Sequence, residues 1–135
     1  MNNISLSPTR ISKYTVEAKR ALLKLGHATN AEILQELQLK FPQVSATTVH
    51  RITARLCERG EIGLAPSDLN NALRYDAIAT RHDHFMCSKC GMLRDAILTI
   101  ALRPAIEAAI GSDCSITGNL TISGVCKRCH KDLYG

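Results

Sequence analysis

Four cysteines stand in two identical C-x-x-C pairs, Cys87-Ser88-Lys89-Cys90 and Cys126-Lys127-Arg128-Cys129, with 35 residues between them. Two such knuckles present four sulfurs in the tetrahedral geometry that suits Zn²⁺, and a site closed by four thiolates leaves no open position for a substrate. The reading is structural zinc on Cys87, Cys90, Cys126 and Cys129. The competing readings are free buried thiols and a redox pair. Equal spacing in both pairs, and Gly91 directly after the first, favour the metal. The intervening stretch is too long for a short zinc ribbon, so a small subdomain must sit between the knuckles.

Just before the first pair runs His82-Asp83-His84. In a strand, alternate side chains share a face, so the two imidazoles would point one way and Asp83 the other. They could then share one metal with a nearby carboxylate, Asp76 or Asp95, and His27 could reach in if the two halves of the chain fold together. Imidazoles mixed with carboxylates suit Fe²⁺, Mn²⁺, Zn²⁺ or Co²⁺. The plainer alternative is a polar surface strand with two unrelated histidines.

A third constellation lies on the segment Ala46 to Arg59. Opposite its apolar face of Val49, Ile52 and Leu56 stand Thr47, Thr48, His50, Arg51 and Arg55. Arg can read guanine edges or hold phosphates, and Thr can contact thymine methyl groups. A solvated charged face is the competing reading.

The elements that must position these groups follow from periodicity. Ile11, Tyr14, Ala18, Leu22 and Leu25 recur at helical spacing, with Gly26 as a stop. A second helix starts near Thr29-Asn30, buries Ile33, Leu34 and Leu37, and closes before Pro42. A third starts after Ser45 and ends at Gly60. Three short helices with short turns resemble a helix-turn-helix unit. Glu61–Leu64 and Leu73–Ala79 are strand candidates around a polar loop, Pro66 to Asn71, and such a hairpin would be a wing. Beyond Thr80, Phe85–Met86 and Met92–Ala96 predict a hairpin whose turn holds metal. Leu102–Ile110 predicts a helix with Pro104 in its first turn. Ser115–Thr117 and Leu120–Val125 read as strands.

Composition bounds the function. The 135 residues are 45% hydrophobic and 21% charged, with a mean hydropathy of -0.03, which describes an ordinary globular chain. No run of 18 apolar residues exists, so no membrane span is expected. Met1 to Arg10 shows no basic stretch followed by an apolar core, so the expected location is the cytoplasm, where disulfides are disfavoured. Only 4% of residues are aromatic, so the core must be aliphatic or stapled. Charge is uneven: residues 1–75 hold ten Lys+Arg and six Asp+Glu, and residues 76–135 hold seven and six. An anionic partner is therefore expected on the first half. A zinc deaminase would need an open zinc and a catalytic Glu beside a ligand. Here the neighbour is Asp83 and the sulfur site is closed, so no enzymatic role is expected.

Taken in order, His27-Ala28-Thr29-Asn30-Ala31-Glu32-Ile33, Ser45 to Arg51, Leu73-Arg74-Tyr75-Asp76, His82 to Gly91 and Gly124 to Cys129 resemble the ferric uptake regulator (Fur) superfamily over nearly the whole chain. The H-x-H-x-x-C-x-x-C-G run with a distant C-x-x-C is the most specific part. The resemblance implies an α+β protein: an N-terminal winged helix-turn-helix followed by a zinc-stapled α/β dimerisation domain. Residues 1–79 would be the DNA-binding domain, and residues 80–135 the dimerisation and metal-binding domain.

Within the superfamily the sequence looks most like the peroxide-sensing PerR branch, whose sensing metal is held by three His and two Asp. The matching positions are His27, Asp76, His82, His84 and Asp95, and iron-sensing members often carry Glu at the last. The resemblance thus implies a homodimeric repressor on a double-stranded DNA operator, with structural Zn²⁺ and regulatory Fe²⁺ or Mn²⁺. Peroxide would be sensed through oxidation of His27 or His82. The alternative is an iron- or manganese-responsive repressor without peroxide chemistry.

The departures from the family pattern are specific. His50 stands where Tyr is usual, and Gly118-Asn119 occupies the stretch that supplies an accessory-site His. Asp76–Arg81 lacks the Cys usual in zinc sensors, and Thr80 does not supply the extra His of nickel sensors. Cys57 is expected to pack within the third helix, and Cys114 has no assigned role.

Overall fold

The computed structural model describes residues 10–134, and within them the side chains of residues 13–131 apart from Thr99. Ile11, expected on the first helix's apolar face, lies outside the described side chains. The chain divides into two compact units, Met1–Ala79 and Thr80–Gly135.

The first unit opens with helix α1 (Arg10–Leu25), strand β1 (His27–Thr29), helix α2 (Asn30–Lys40) and helix α3 (Ala46–Glu58). Strands β2 (Gly63–Ala65) and β3 (Arg74–Asp76) complete it. The helices form where apolar residues recur at three- and four-residue steps. Tyr14, Ala18 and Leu22 of α1, Ile33 and Leu37 of α2, and Val49, Ile52 and Leu56 of α3 make one buried cluster with Ala28 and Tyr75. Leu25, the last of the expected α1 set, is exposed instead. Both later helices are capped as their sequences suggest. Thr29 and Glu32 form a reciprocal capping box on α2, and the Ser45 side chain accepts from the Thr48 amide on α3.

Strand β1 was not expected. Its three residues pair antiparallel with the centre of a β1-β3-β2 sheet, His27 opposite Asp76 and Thr29 opposite Arg74. Strands β2 and β3 are shorter than the predicted Glu61–Leu64 and Leu73–Ala79. The strand β3 ends at Asp76 because its carboxylate Oδ1 turns back to accept from the Ile78 amide at 2.9 Å. The connecting loop is held from inside: buried Arg74 donates to the carbonyls of Pro66 and Ser67, and Asp68 accepts from the amides of Asn70 and Ala72. This hairpin is the wing.

The second unit contains β4 (Asp83–Cys87), β5 (Leu93–Ala96), α4 (Thr99–Ile110), β6 (Thr121–Gly124) and α5 (Lys127–Tyr134). Strand β4 is central, antiparallel to β5 and parallel to β6. Its start at Asp83 is earlier than the predicted Phe85. Helix α4 begins at Thr99, so Pro104 sits in the helix interior and not in the first turn. The segment Ser115–Thr117 is not a strand. Side chains of α4 hold it: Glu107 accepts from the Ile116 amide at 2.5 Å, and Arg103 donates to the Ile116 carbonyl at 2.6 Å. Helix α5 was not anticipated.

Among the described residues the buried apolar cluster belongs wholly to the first unit. The second unit instead exposes Ile97, Ile100, Leu102, Ile110 and Ile122.

Candidate metal centre and nucleic-acid interface

The four-cysteine cluster is built by strand register. The β4–β5 hairpin turn carries Cys87 and Cys90, and parallel pairing sets Cys87 opposite Gly124, two residues before Cys126. Gly91 follows the knuckle at φ 79°, a left-handed conformation that glycine adopts without a Cβ clash. One ligand sulfur from each of Cys87, Cys90, Cys126 and Cys129 lies within 4.8 Å of the others. Backbone amides point at sulfurs of this cluster. Cys87 Sγ accepts from the amides of Cys126 at 3.3 Å and Lys89 at 3.4 Å, and Cys90 Sγ accepts from Met92 at 3.4 Å.

Hydrogen bonds from the Cys126 and Cys90 backbones hold the Cys87 thiol down at about 6. Cys129 is pushed up to about 12 by the Cys126 side chain, by burial and by the other two sulfurs. One sulfur therefore ionises easily and another resists. The donor set and its closure fit Zn²⁺.

The predicted sensing residues occur as clusters within each unit. In the second, His84 and Asp95 are directly opposite across β4 and β5. Asp95 Oδ1 lies 3.0 Å from His82 Nε2 and 3.4 Å from His84 Nε2. The two imidazole rings sit 4.5 Å apart, centroid to centroid. His82 Nδ1 is 2.8 Å from the Thr80 carbonyl, which can only accept, so Nδ1 donates there and Nε2, on the side of Asp95, is the nitrogen that could ligate a metal. In the first unit, His27 Nε2 lies 3.4 Å from Asp76 Oδ2, with these residues opposite across β1 and β3. Each sheet thus supplies one cross-strand His–Asp pair.

Asp83 was read only as the residue facing away from the histidines. It does more than that. Buried, it accepts from the Leu98 amide at 3.0 Å and the Leu120 amide at 2.8 Å, tying both flanks of the sheet to β4. Backbone donors so distant in sequence leave no residue-type signal.

On α3, Thr47, His50, Arg51 and Arg55 are exposed, and Thr48 is half-buried with its hydroxyl 3.0 Å from Ser45 Oγ. A groove between α1 and α3 is lined by Thr15, Val16, Thr48, Arg51, Arg55 and Arg59. Sequence reading missed Asn30 and Thr53, which hold His50 from beneath. Cys57 is half-buried against the core, and Cys114 is exposed.

A winged helix-turn-helix followed by an α/β unit with a four-cysteine cluster defines a metal-binding regulator class. The Ferric uptake regulator family model matches residues 9–105. This chain belongs to that family, whose members are metal-responsive transcription regulators. The Peroxide operon regulator of Bacillus subtilis (strain 168) is 28% identical over 114 residues, spanning 79% of this chain and 74% of the relative. The peroxide-responsive repressor PerR of Staphylococcus epidermidis (strain ATCC 12228 / FDA PCI 1200) is 29% identical over 110 residues, spanning 79% and 71%. The ferric uptake regulator Fur of Helicobacter pylori, a structure with three functional metal-binding sites, superposes with a TM-score of 0.71 at 25% identity, covering 88% of this chain and 81% of that one. Among the described residues no helix is long and apolar enough to cross a membrane.

Proposed function

We propose that this chain is a cytoplasmic, homodimeric repressor that senses peroxide through oxidation of His27 or His82. Residues 1–79 act as the DNA-binding domain, and residues 80–135 as the dimerisation and metal-binding domain. The carrying observation is the pair of cross-strand His–Asp contacts, His27 with Asp76 and His84 with Asp95, with His82 beside the latter. Three imidazoles and two carboxylates, without sulfur, suit Fe²⁺ or Mn²⁺. Bound Fe²⁺ would supply one-electron reactivity toward peroxide that Mn²⁺ does not readily supply.

The chain's own residues do the rest. His82 is held by the Thr80 carbonyl through Nδ1, which leaves Nε2 on the side of Asp95. A metal that draws on all five ligands would restrict the orientation of the recognition helices. A dimer on duplex DNA requires those helices roughly 34–36 Å apart. Oxidation of a ligating imidazole removes one of the five and releases that restriction. Cys87, Cys90, Cys126 and Cys129 hold structural Zn²⁺. The exposed isoleucines of the second unit support a face covered by a second copy. Thr47, Thr48, His50, Arg51 and Arg55 meet the operator.

The names of both curated relatives support peroxide as the signal, as does Asp rather than Glu at position 95. The test is operator binding by the iron-loaded and manganese-loaded protein, before and after peroxide, with mass spectrometry of the peptides holding His27 and His82. The expected result is release of DNA by the iron form alone, with added oxygen on one histidine. An iron form that keeps its DNA affinity with both histidines unmodified would overturn the peroxide reading and leave an iron- or manganese-responsive repressor. Arg51→Ala and Arg55→Ala should weaken operator binding at constant metal content; unchanged affinity in both would reject α3 as the reading helix.

A further inference from the structure

The side chain of His50 is exposed on α3, yet one of its ring nitrogens is engaged from below. Asn30, the first residue of α2, places its Nδ2 3.1 Å from His50 Nδ1. The orientation of that amide is itself set. The Thr53 hydroxyl, one turn further along α3 and 1% exposed, has three acceptors in reach, the Val49 and His50 carbonyls at 3.2 Å each and Asn30 Oδ1 at 2.7 Å, and the shortest contact marks Asn30 as the one it donates to. With its oxygen committed to Thr53, Asn30 turns its NH₂ toward His50. A donor facing Nδ1 requires a lone pair there, so the neutral imidazole carries its proton on Nε2. The ring is thereby fixed in both rotation and tautomer, with an N–H donor at its outer edge.

We propose that His50 is a base-reading residue whose Nε2–H, set by the Asn30–Thr53 pair, selects guanine at one position of each operator half-site. The proposal rests on the reading of α3 as the recognition helix and adds the polarity of one of its contacts. Guanine alone presents two acceptors, N7 and O6, side by side in the major groove without a donor; adenine adds an N6 donor, and cytosine offers only a donor. A side chain with a single outward donor is most tolerant of position over the two guanine acceptors. Asn30 is the positioning residue: it does not reach the DNA but decides which hydrogen-bonding role His50 brings to it. Its place directly after β1 also ties that role to the strand carrying His27.

The test is selection from a duplex DNA pool of random sequence by the manganese-loaded full-length protein, compared with His50→Ala, Asn30→Ala and Arg51→Ala. Long-range ¹⁵N spectra of the histidine rings accompany it. Expected for the wild type are the Nε2–H tautomer at His50 and a guanine preference at one position that His50→Ala erases. The loss should be roughly three- to tenfold, the worth of one hydrogen bond. Asn30→Ala should blur the same position and mix the tautomers while leaving metal content and affinity for unrelated DNA unchanged.

An Nδ1–H tautomer in the wild type, or an adenine or thymine preference at the His50-dependent position, overturns the proposal. So does a selected sequence that Arg51→Ala alters and His50→Ala does not. If neither variant changes any position, the reading of α3 as the recognition helix has failed, and this inference with it.

Discussion

Replacing Asp83 with alanine tests whether the strand that carries the clustered histidines is held by this one buried carboxylate. Asp83 is 3% exposed and receives two backbone amides, Leu98 and Leu120, from opposite flanks of β4. A hydrogen bond to a charged group contributes about 1.5–3 kcal/mol, so removing both should cost about 3–6 kcal/mol. That is a large share of the stability of a small unit lacking an apolar cluster of its own among the described residues. Urea denaturation of the zinc-loaded protein should show the loss. Amide exchange should speed up first at Leu98 and Leu120, and Mn²⁺ affinity should fall because His82 and His84 flank the freed position. Asp83→Asn retains one acceptor and should fall between wild type and Asp83→Ala. A variant Asp83→Ala within about 0.5 kcal/mol of wild type, the range of ordinary surface substitutions, with unchanged exchange at both amides, would refute the reasoning.

Cys126→Ser should lose zinc and the dimer together, read by metal analysis and sedimentation, because structural zinc contributes about 10–16 kcal/mol of apparent binding energy at pH 7. Thr29→Ala breaks the capping box on α2 and should cost about 0.5–2 kcal/mol by thermal melting. Glu107 lies below its ordinary 4.5 because the Ile116 amide and then Arg103 stabilise its carboxylate. A depressed carboxyl contributes stability above its unfolded value and loses it as pH falls through the folded one. Slower amide exchange at Ile116 in the wild type than in Glu107→Gln should therefore be present at pH 7 and vanish as pH drops below 4.5.

The three helices of the first unit could be read because each repeats apolar residues over several turns and carries its own cap, Thr29 or Ser45, beside it in sequence. The clusters were legible for the same local reason: C-x-x-C and H-x-H declare themselves within a few residues. What escaped was set by distant partners. Strand β1 has three residues, too few to show alternation, and exists because β3 returns beside it. Pro104 suggested a helix start, but the Leu102 amide bonds to the Leu98 carbonyl and the helix begins before it. Ile116 sits between side chains of α4, so its apolar, β-branched character suggested a ladder that does not form. Asn30 gave no sign of its role, because a cap-region asparagine needs no second employment to be explained.

Strand β4 has a further consequence through its parity. Residues 84 and 86 face one side and residues 83, 85 and 87 the other, so one five-residue strand presents His84 on one surface and Cys87 on its reverse. The two metal clusters are thereby chemically insulated, soft sulfur from harder nitrogen and oxygen, yet mechanically in series. Loss of an ion held on the sulfur side would free the end of the very strand that aligns the histidines. Under the function proposed above, the response would obey conjunctive logic: the sensing set would be competent only after the cysteine set has been filled. On that reading, a newly made chain short of zinc would be silent whatever the supply of iron or manganese.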